Sequence, residues 1–320
     1  MKVLSMQESL KKRISVLIPC YNEELSLPIL YKALDTVSKE SQNYEWEFLF
    51  VNDGSKDHTL KILRELSSID HRVGYLDLSR NFGKEAAMLA GFDNVKGDCM
   101  VILDADLQHP PLLILDMIKE WENGYEDVYG KRISRGKESW LRKKLSLTFY
   151  KILQKNSNID ILPNVGDFRL LDRRCIDALR NLRESERYTK GMFSWIGFKK
   201  KEILFNTADR VAGSSHWKFS SLFKLAIEGI TSFTTAPLRI STFLGFLISF
   251  LAFIYMIFIL IRTVFFGDEV RGFPTLVILI LFLGGIQLIS LGIIGEYIAR
   301  IFTESKNRPV YVIRESKLSK

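Results

Sequence analysis

Residues 99–108 of the chain read CMVILDADLQ, an apolar run followed at once by two aspartates. Five consecutive apolar side chains have the length and composition of a strand that is buried on both faces. Asp104 and Asp106 come directly after it. A pair of carboxylates in this position suits Mg²⁺ or Mn²⁺, which can bind through one or two protein carboxylates and bridge to substrate phosphates. The stretch therefore predicts a strand that leads into a phosphate-handling site.

The same pattern occurs three times earlier in the chain. Apolar runs at residues 14–18, 47–51 and 73–78 also end in polar clusters, and amphipathic segments separate the runs. Alternating strands and helices predict an α/β fold with a parallel sheet. Because the carboxyl ends of parallel strands meet at one edge, where such sheets bind ligands, we expect the clusters to form one site. The clusters lie at residues 19–24, 52–55, 79–85 and 104–108, and a fifth strand is predicted at residues 127–130.

Composition and motifs exclude several other classes of protein. The chain has 320 residues, of which 47% are hydrophobic and 26% charged, so intrinsic disorder and fibrous folds are excluded. The absence of GxGxxG and GxxxxGK[ST] argues against a dinucleotide-binding Rossmann domain and a P-loop ATPase. The three cysteines show no CxxC spacing and are expected to be reduced, cytosolic thiols. The net charge of +8 favours an anionic partner: nucleic acid, anionic lipid or a phosphorylated substrate.

Two long uncharged segments lie in the last third of the chain. Each exceeds the roughly 20 residues needed to cross a bilayer core. Basic residues concentrate outside the short connecting loop, which predicts that both termini are cytoplasmic. The alternative is a buried core hairpin. The predicted organisation is a cytoplasmic catalytic domain at 1–218, a juxtamembrane amphipathic segment at 219–239, transmembrane helices at 240–261 and 273–295, an external loop at 262–272 and a cytoplasmic basic tail at 296–320.

A further membrane-binding element is predicted within the cytoplasmic domain. Residues 131–155 carry nine Lys or Arg residues and one acidic residue, and apolar side chains recur there at helical spacing. This pattern is typical of an interfacial amphipathic helix, with an ordinary solvated surface helix as the alternative. In the second span, Gly284, Gly285, Gly292 and Gly295 permit close helix packing, either between subunits or within the hairpin. With two predicted spans and no nucleic-acid recognition motif, we expect no nucleic-acid partner.

Four motifs stand in an order that is specific to one enzyme family. They are PCYNE at residues 19–23, NDGS at 52–55, DADLQ at 104–108 and GDFR at 166–169. With them, the chain resembles the family 2 glycosyltransferases of GT-A fold. The stretch SRNFGK at residues 79–84 and the double-span tail narrow the resemblance to polyisoprenyl-phosphate glycosyltransferases of the bactoprenol glucosyltransferase type, which are related to dolichol-phosphate mannose synthases.

The resemblance implies both an architecture and a reaction. The architecture is an α/β, GT-A (Rossmann-like) nucleotide-sugar domain, followed by juxtamembrane amphipathic helices and a two-helix transmembrane hairpin. The reaction is an inverting transfer of a sugar, glucose first and N-acetylglucosamine second, from a UDP-sugar to undecaprenyl (polyprenyl) phosphate. The enzyme would act at the cytoplasmic face of the plasma membrane, with Mg²⁺ or Mn²⁺, and its product would serve cell-envelope glycan modification. A homo-oligomer, with a tetramer as one form, is also implied.

The resemblance also assigns roles by motif position. The catalytic candidates are Asp167, Asp104 and Asp106. The metal ligands would be Asp106, Gln108 and Asp104. The candidates for binding the acceptor phosphate are Arg135 and Arg169. The donor-binding residues would be Pro19, Tyr21, Glu23, Asp53, Lys84, Arg132, Arg210 and Lys218.

Where relatives commonly have lysine in a Ser/Thr-Lys-Trp/Tyr motif, this chain has His216, and Lys218 is the nearby substitute. The acceptor phosphate has a second pKa of about 6 and is largely dianionic at pH 7, so it needs little help from a base. Asp167 is therefore interpreted as a group that positions the acceptor or stabilises a developing oxocarbenium ion. The alternative is a structural salt bridge from Asp167 to Arg169 or Arg173.

Two other functions are alternatives to sugar transfer onto a lipid phosphate. A processive polysaccharide synthase usually carries a QxxRW motif and more membrane spans, and neither is found in this sequence. A non-catalytic membrane scaffold with a degenerate transferase domain is the alternative from another class. The intact pair Asp104 and Asp106 argues against the scaffold.

Overall fold

The computed structural model describes residues 11–133, 165–185, 187–206, 236–266 and 272–319. These residues form two compact units. The first unit contains the described residues up to 206 and, after the second unit, residues 309–319. The second unit contains the described residues from 236 to 308.

The first half of the first unit alternates strands with helices, as the sequence predicts. The strands are β1 (Arg13–Cys20), β2 (Glu45–Asn52), β3 (Val73–Leu78), β4 (Cys99–Ile102) and β5 (Asp127–Arg132). The helices between them are α1 (Leu27–Glu40), α2 (Thr59–Ile69), α3 (Lys84–Asn94) and α4 (Leu113–Glu122). The α/β prediction is confirmed.

The remaining elements of this unit make the sheet a mixed one. They are β6 (Val165–Asp172), α5 (Arg173–Asn181), α6 (Thr189–Trp195), β7 (Lys200–Phe205) and β8 (Ile313–Lys317). Over the described residues, the sheet has eight strands in the order β7-β5-β6-β4-β1-β2-β3-β8. The central strands β4, β1, β2 and β3 are parallel, whereas β6 is antiparallel to both β4 and β5. The carboxyl ends of the four central strands therefore share one edge.

Both faces of the sheet are buried at its centre. The packing of α3 against β1 positions the start of α3. In β1, Val16, Leu17 and Ile18 are fully buried. Helix α3 lies close to this strand because Gly91 has no side chain: a Cβ at that position would lie 2.1 Å from Cδ1 of Leu17. The close contact holds the N-terminal residue of α3, Lys84, at the carboxyl edge of the sheet.

The second unit consists of two long helices that contact each other, α7 (Ala236–Phe266) and α8 (Phe273–Ser305). Within the described part of the chain, one segment, Phe282–Ser305, is long and apolar enough to cross a membrane, and it is not buried. The predicted first span at 240–261 lies inside α7 and stays a prediction.

The C-terminal tail, predicted as a cytoplasmic basic tail at 296–320, contains the end of α8 and one strand. Residues 296–305 complete α8, and β8 then joins the sheet antiparallel to β3, with Asp77 opposite Glu315. Gly74 leaves room for this strand, since a Cβ there would lie 2.9 Å from the backbone nitrogen of Ser319. The tail therefore covers what would otherwise be an open sheet edge.

Candidate active site

The shared carboxyl edge of the central strands encloses a cleft of about 330 Å³. The expectation that the polar clusters meet at one edge is confirmed. Seven of the residues assigned to the site line the cleft: Pro19, Tyr21, Glu23, Asp53, Lys84, Asp104 and Asp106. The other lining residues have no assigned role: Cys20, Asn81, Gly83 and Ala105 lie within the quoted motifs, and Ala87 lies outside them.

Asp53 organises the loop between β3 and α3. Its side chain is buried, and its two oxygens accept hydrogen bonds from the backbone nitrogens of Phe82 at 2.7 Å and Gly83 at 2.9 Å. Burial raises the pKa of Asp53, and the two amide hydrogen bonds offset part of the rise. Because this loop leads directly into α3, Asp53 helps to place Lys84 at the cleft.

Lys84 bridges two carboxylates that come from different strands. Its Nζ lies 2.5 Å from Oδ1 of Asp104 and 2.6 Å from Oδ2 of Asp167. The side chain of Lys84 is 41% exposed, whereas that of Asp167 is 12% exposed. Removal from water disfavours the charged ammonium, but the two carboxylates outweigh this effect and raise the pKa of Lys84. The cluster therefore keeps one positive charge between two negative charges beside the cleft.

Asp167 is held in its charged form. Burial alone would raise its pKa, but the charge of Lys84, followed by that of Lys190, lowers the pKa of Asp167 to about 2. A carboxylate with this pKa is ionised at neutral pH and is a poor proton acceptor. Among the described residues, the ion-pair partner of Asp167 is Lys84 rather than Arg169 or Arg173. The geometry thus supports a positioning or charge-stabilising role for Asp167.

Asp104 and Asp106 form the carboxylate pair of the cleft. Oδ1 of Asp106 accepts the backbone N–H of Gln108 at 3.1 Å, and Leu107 between them adopts a positive φ of 59°. In the part of the chain that the structure describes, no group of three His, Cys, Asp or Glu side chains could hold a metal by itself. Two carboxylates suit Mg²⁺ or Mn²⁺ when substrate phosphates and water supply the other ligands. The two carboxylates therefore fit a metal that binds together with a phosphorylated substrate.

Buried polar atoms without a partner indicate where a ligand would bind. Considering the described residues only, both ring nitrogens of His109, Nε of Arg132 and Oδ1 of Asp167 have no hydrogen-bond partner. His109 is 2% exposed and stacks on Phe168 with 4.9 Å between ring centroids. Burial lowers the pKa of His109, so its ring is neutral. Each unpaired group costs about 1–3 kcal/mol, which a bound ligand or water would recover.

Arg169 has a partner other than the acceptor phosphate that the sequence assigned to it. It is 3% exposed, and its Nη1 lies 2.9 Å from Oδ2 of the fully buried Asp127. Its guanidinium carbon also lies 3.7 Å from the centroid of the Phe193 ring. A buried arginine whose charge is already paired joins β5 to β6 and is not available to a lipid phosphate. We therefore no longer assign Arg169 to acceptor binding.

Several assigned residues lie outside the described residues. They are Arg135, Arg210, His216 and Lys218. Most of the predicted amphipathic stretch 131–155 and the juxtamembrane positions 219–235 also lie there. Their roles stay predictions.

Glu85 is a site residue to which the sequence analysis gave no role. Its Oε2 accepts hydrogen bonds from Thr189, through the backbone nitrogen at 3.2 Å and through the hydroxyl. Burial and, after it, the negative charge of Asp167 raise the pKa of Glu85 to about 7. The only sequence signal is its place directly after Lys84, and nothing in the sequence links it to a helix about a hundred residues later.

We expect Glu85→Gln to stabilise the protein at alkaline pH. Because the pKa of Glu85 is raised in the folded state, its contribution to stability is complete at acidic pH and is lost as the pH rises through about 7. Glutamine keeps an oxygen for Thr189 and carries no charge. The melting temperature in detergent should rise by about 2–4 °C at pH 8.5 and stay unchanged at pH 5. Glu65→Gln, at an exposed position of α2, is the control; an equal shift at both pH values would contradict the assignment.

Comparison with known proteins gives a family match for both units. The family model described as glycosyl transferase family 2 matches residues 15–180, more than half of the chain. The model of the GtrB C-terminal hairpin matches residues 236–301.

Relatives match over nearly the whole chain. A prophage bactoprenol glucosyl transferase homolog of Escherichia coli (strain K12) is 43% identical over 305 residues, covering 95% of this chain and 99% of the relative. The bactoprenol glucosyl transferase of Shigella phage SfV has the same identity and coverage. A solved structure of glucosyl-3-phosphoglycerate synthase from Mycobacterium tuberculosis is 16% identical, with a TM-score of 0.45, and covers 67% of this chain and 75% of that chain.

Proposed function

The chain belongs to glycosyltransferase family 2, with a GT-A-like sheet, and we propose that it transfers a sugar from a UDP-sugar to polyprenyl phosphate. The observation that carries this proposal is the similarity to bactoprenol glucosyl transferases, which extends over 95% of the chain. Glucose is the first candidate for the sugar and N-acetylglucosamine the second. The product would be a polyprenyl-phosphate sugar for modification of cell-envelope glycans.

The donor is proposed to lie in the cleft at the carboxyl edge of the sheet. Tyr21, Glu23 and Asp53 line the part of the cleft assigned to the uridine. Asp104 and Asp106 would hold a divalent cation, Mg²⁺ or Mn²⁺, with Gln108 as a further ligand. When bound, that cation supplies positive charge to the diphosphate. Arg132, whose Nε is buried without a partner among the described residues, is proposed to contact the same phosphates.

The proposed reaction is a single displacement at the anomeric carbon. An oxygen of the acceptor phosphate forms the new bond, the bond to the UDP oxygen breaks, and UDP leaves with the electron pair. One displacement inverts the configuration of the anomeric carbon. Because the acceptor is already dianionic, with a second pKa of about 6, the step needs no protein base. Asp167 is proposed to supply a fixed negative charge for the developing oxocarbenium ion, and Lys84 holds it in place.

The acceptor is proposed to reach the cleft from the cytoplasmic membrane surface. The apolar segment Phe282–Ser305 supports membrane association. The place of β8 supports a cytoplasmic C-terminus: the strand follows α7 and α8 in the chain and pairs with β3 of the transferase sheet. The proposal therefore includes two spans, which would return the chain to the side of the membrane from which it entered. The basic residues of the flanking segments favour the cytoplasmic side.

A homo-oligomer, with a tetramer as one form, is part of the proposal. Gly284, Gly285, Gly292 and Gly295 all lie on α8. In the described part of the chain, a Cβ at any of the four would have no neighbour within 4 Å. Two uses are considered for these glycines, packing against another subunit and packing within the hairpin, and the proposed oligomer uses the first.

The proposed function is tested by nucleotide release that depends on the lipid acceptor. The purified full chain in detergent, with Mg²⁺ or Mn²⁺, is offered a panel of UDP-sugars with and without a short-chain polyprenyl phosphate. We expect UDP release from one donor, with UDP-glucose as the first candidate, and only in the presence of the acceptor. UDP release at the same rate with and without the acceptor would indicate hydrolysis of the UDP-sugar. Nucleotide binding without release from any donor would favour the non-catalytic scaffold, and a growing polymer would favour the polysaccharide synthase.

A further inference from the structure

A series of side-chain contacts connects the C-terminal strand to the proposed donor cleft. Arg314 of β8 forms an ion pair with Asp77 of β3, and Asp77 is hydrogen-bonded to Asn52 at the end of β2. We propose that Arg314 is a positioning residue for the nucleotide donor, acting through Asp77 and Asn52 on the turn at residues 53–55. This inference rests on the proposed function, since it assumes that a UDP-sugar occupies the cleft.

The first link is the charge of Asp77. Its carboxylate is fully buried, so it needs a counter-charge. Arg314 supplies it with Nε at 2.7 Å and Nη2 at 2.6 Å from Oδ2. The Arg314 side chain is 56% exposed, so the arginine side of the ion pair is in contact with solvent. Removing Arg314 would leave a buried negative charge without a counter-ion.

The second link is the orientation of the Asn52 amide. Asn52 is fully buried, and its Nδ2 donates to Oδ1 of Asp77 at 2.7 Å. This bond turns the other end of the amide, Oδ1, toward the backbone nitrogen of Ser55, from which it accepts at 3.3 Å. A charged, fixed Asp77 thus determines which way the Asn52 amide points.

The third link is the turn that follows β2. Gly54 has a φ of +65°, and a Cβ there would lie 2.4 Å from the carbonyl carbon of Arg80, so the turn has no room to shift toward the loop after β3. Oγ of Ser55 accepts the backbone N–H of Asn22 at 2.9 Å, and Oδ1 of Asn22 accepts that of Lys56 at 2.8 Å.

These contacts reach the residues that line the cleft. Asn22 has a positive φ of 58° and stands between Tyr21 and Glu23. Asp53, also in the cleft, lies within the turn itself. The path from Arg314 therefore ends on three of the residues assigned to the uridine.

The neighbouring residue of β8 provides a matched comparison. Glu315 pairs with Arg64 of α2, where Nε of Arg64 lies 3.1 Å from Oε1, and also accepts the hydroxyl of Tyr75. The pairing of β8 with β3 shifts register between Asp77 and Leu78, so the strand is irregular at Arg314. Arg314 contacts Asp77, whereas Glu315 contacts Arg64 and Tyr75. The Arg64–Glu315 pair therefore attaches the same strand to α2 and to Tyr75 of β3, and its contacts among the described residues do not include the turn at 53–55. Losing the Arg64–Glu315 pair should weaken the attachment of the tail to the sheet and leave UDP binding and turnover unchanged.

The experiment compares Arg314→Met with Arg64→Met in the full chain. UDP affinity is measured by calorimetry with Mn²⁺ in detergent, and turnover is measured with a saturating polyprenyl phosphate. For Arg314→Met we expect about a tenfold weaker Kd for UDP and a similar rise in KM for the UDP-sugar, with kcat within about twofold. For Arg64→Met we expect all three values within about twofold of the wild type. The conservative Arg314→Lys, which keeps the charge but not the two-nitrogen contact, should weaken UDP binding about threefold.

Equal effects of Arg314→Met and Arg64→Met would show that β8 acts only as a structural edge and would overturn the proposal. If Arg314→Met does not fold, an unchanged UDP affinity in Arg314→Lys overturns it instead. Failure of the wild type to bind UDP would overturn the proposed function, and this inference with it. UDP binding by the wild type with no difference among the variants would overturn the inference alone.

Discussion

Replacing Asp106 by asparagine is expected to lower sugar transfer by about 10³-fold and to leave the fold intact. Asp106 lines the cleft and is one of two carboxylates that would bind the divalent cation at the donor diphosphate. Asparagine keeps the size of the side chain but removes its charge, so the cation would bind weakly and the departing UDP would lose its neutralising charge. The measurement is the transfer rate together with Mn²⁺ affinity, and a chelator should reduce the wild type to the level of the variant.

Asp116→Asn is the matched control for this change. Asp116 lies on α4, ten residues further along, with a side chain that is 55% exposed and paired with Lys119 at 2.9 Å. The substitution is chemically the same but lies away from the cleft, so transfer and metal affinity should match the wild type. If Asp106→Asn kept more than about a tenth of the wild-type rate, the assignment of Asp106 to the metal would be wrong.

The second large effect is expected from Lys84→Met, which should lower transfer by about 10²-fold and change its pH dependence. Methionine removes the cation between Asp104 and Asp167, so the two carboxylates would face each other without compensation. The pKa of Asp167, which Lys84 holds at about 2, should rise in the variant. Asp167 would then become protonated as the pH falls. The transfer rate of the variant should therefore fall more at acidic pH than that of the wild type.

The pH profile separates this mechanism from a general loss of structure. Lys39→Met is the control, because Lys39 is 71% exposed and pairs with Asp35 on the surface of α1. It should reproduce the wild-type rate at every pH. A uniform loss of rate in Lys84→Met, with the wild-type pH profile, would indicate that Lys84 does not set the charge state of Asp167.

The sequence was sufficient to predict the edge of the sheet that carries the site. Asp53, Asp104 and Asp106 each follow directly on an apolar run, and parallel pairing brings such strand ends together whatever their distance in the chain. The contact between Lys84 and Asp167 could not be predicted in this way. It depends on β6 entering the sheet antiparallel to β4, which no local pattern specifies.

The two largest differences from the sequence analysis have the same origin. The resemblance assigns Arg169 to the acceptor phosphate, but the pairing of β5 with β6 places it against the buried Asp127. Strand β8 was missed because its sequence, IRESK, is charged and short and shows no apolar run. Its place is set by partners far away in the chain, Asp77 and Arg64, which become neighbours only in the folded unit.

Transfer of glucose to the lipid phosphate is tested by following the sugar itself. The purified chain is incubated with radiolabelled UDP-glucose, undecaprenyl phosphate and Mn²⁺, and the mixture is extracted with organic solvent. The proposed transfer requires that label enter the organic phase as a single glucosyl phosphate lipid with inverted anomeric configuration, and that Asp106→Asn form almost none. Label that stays in the aqueous phase as free glucose while UDP is released, or a lipid product that Asp106→Asn makes as fast as the wild type, would contradict it.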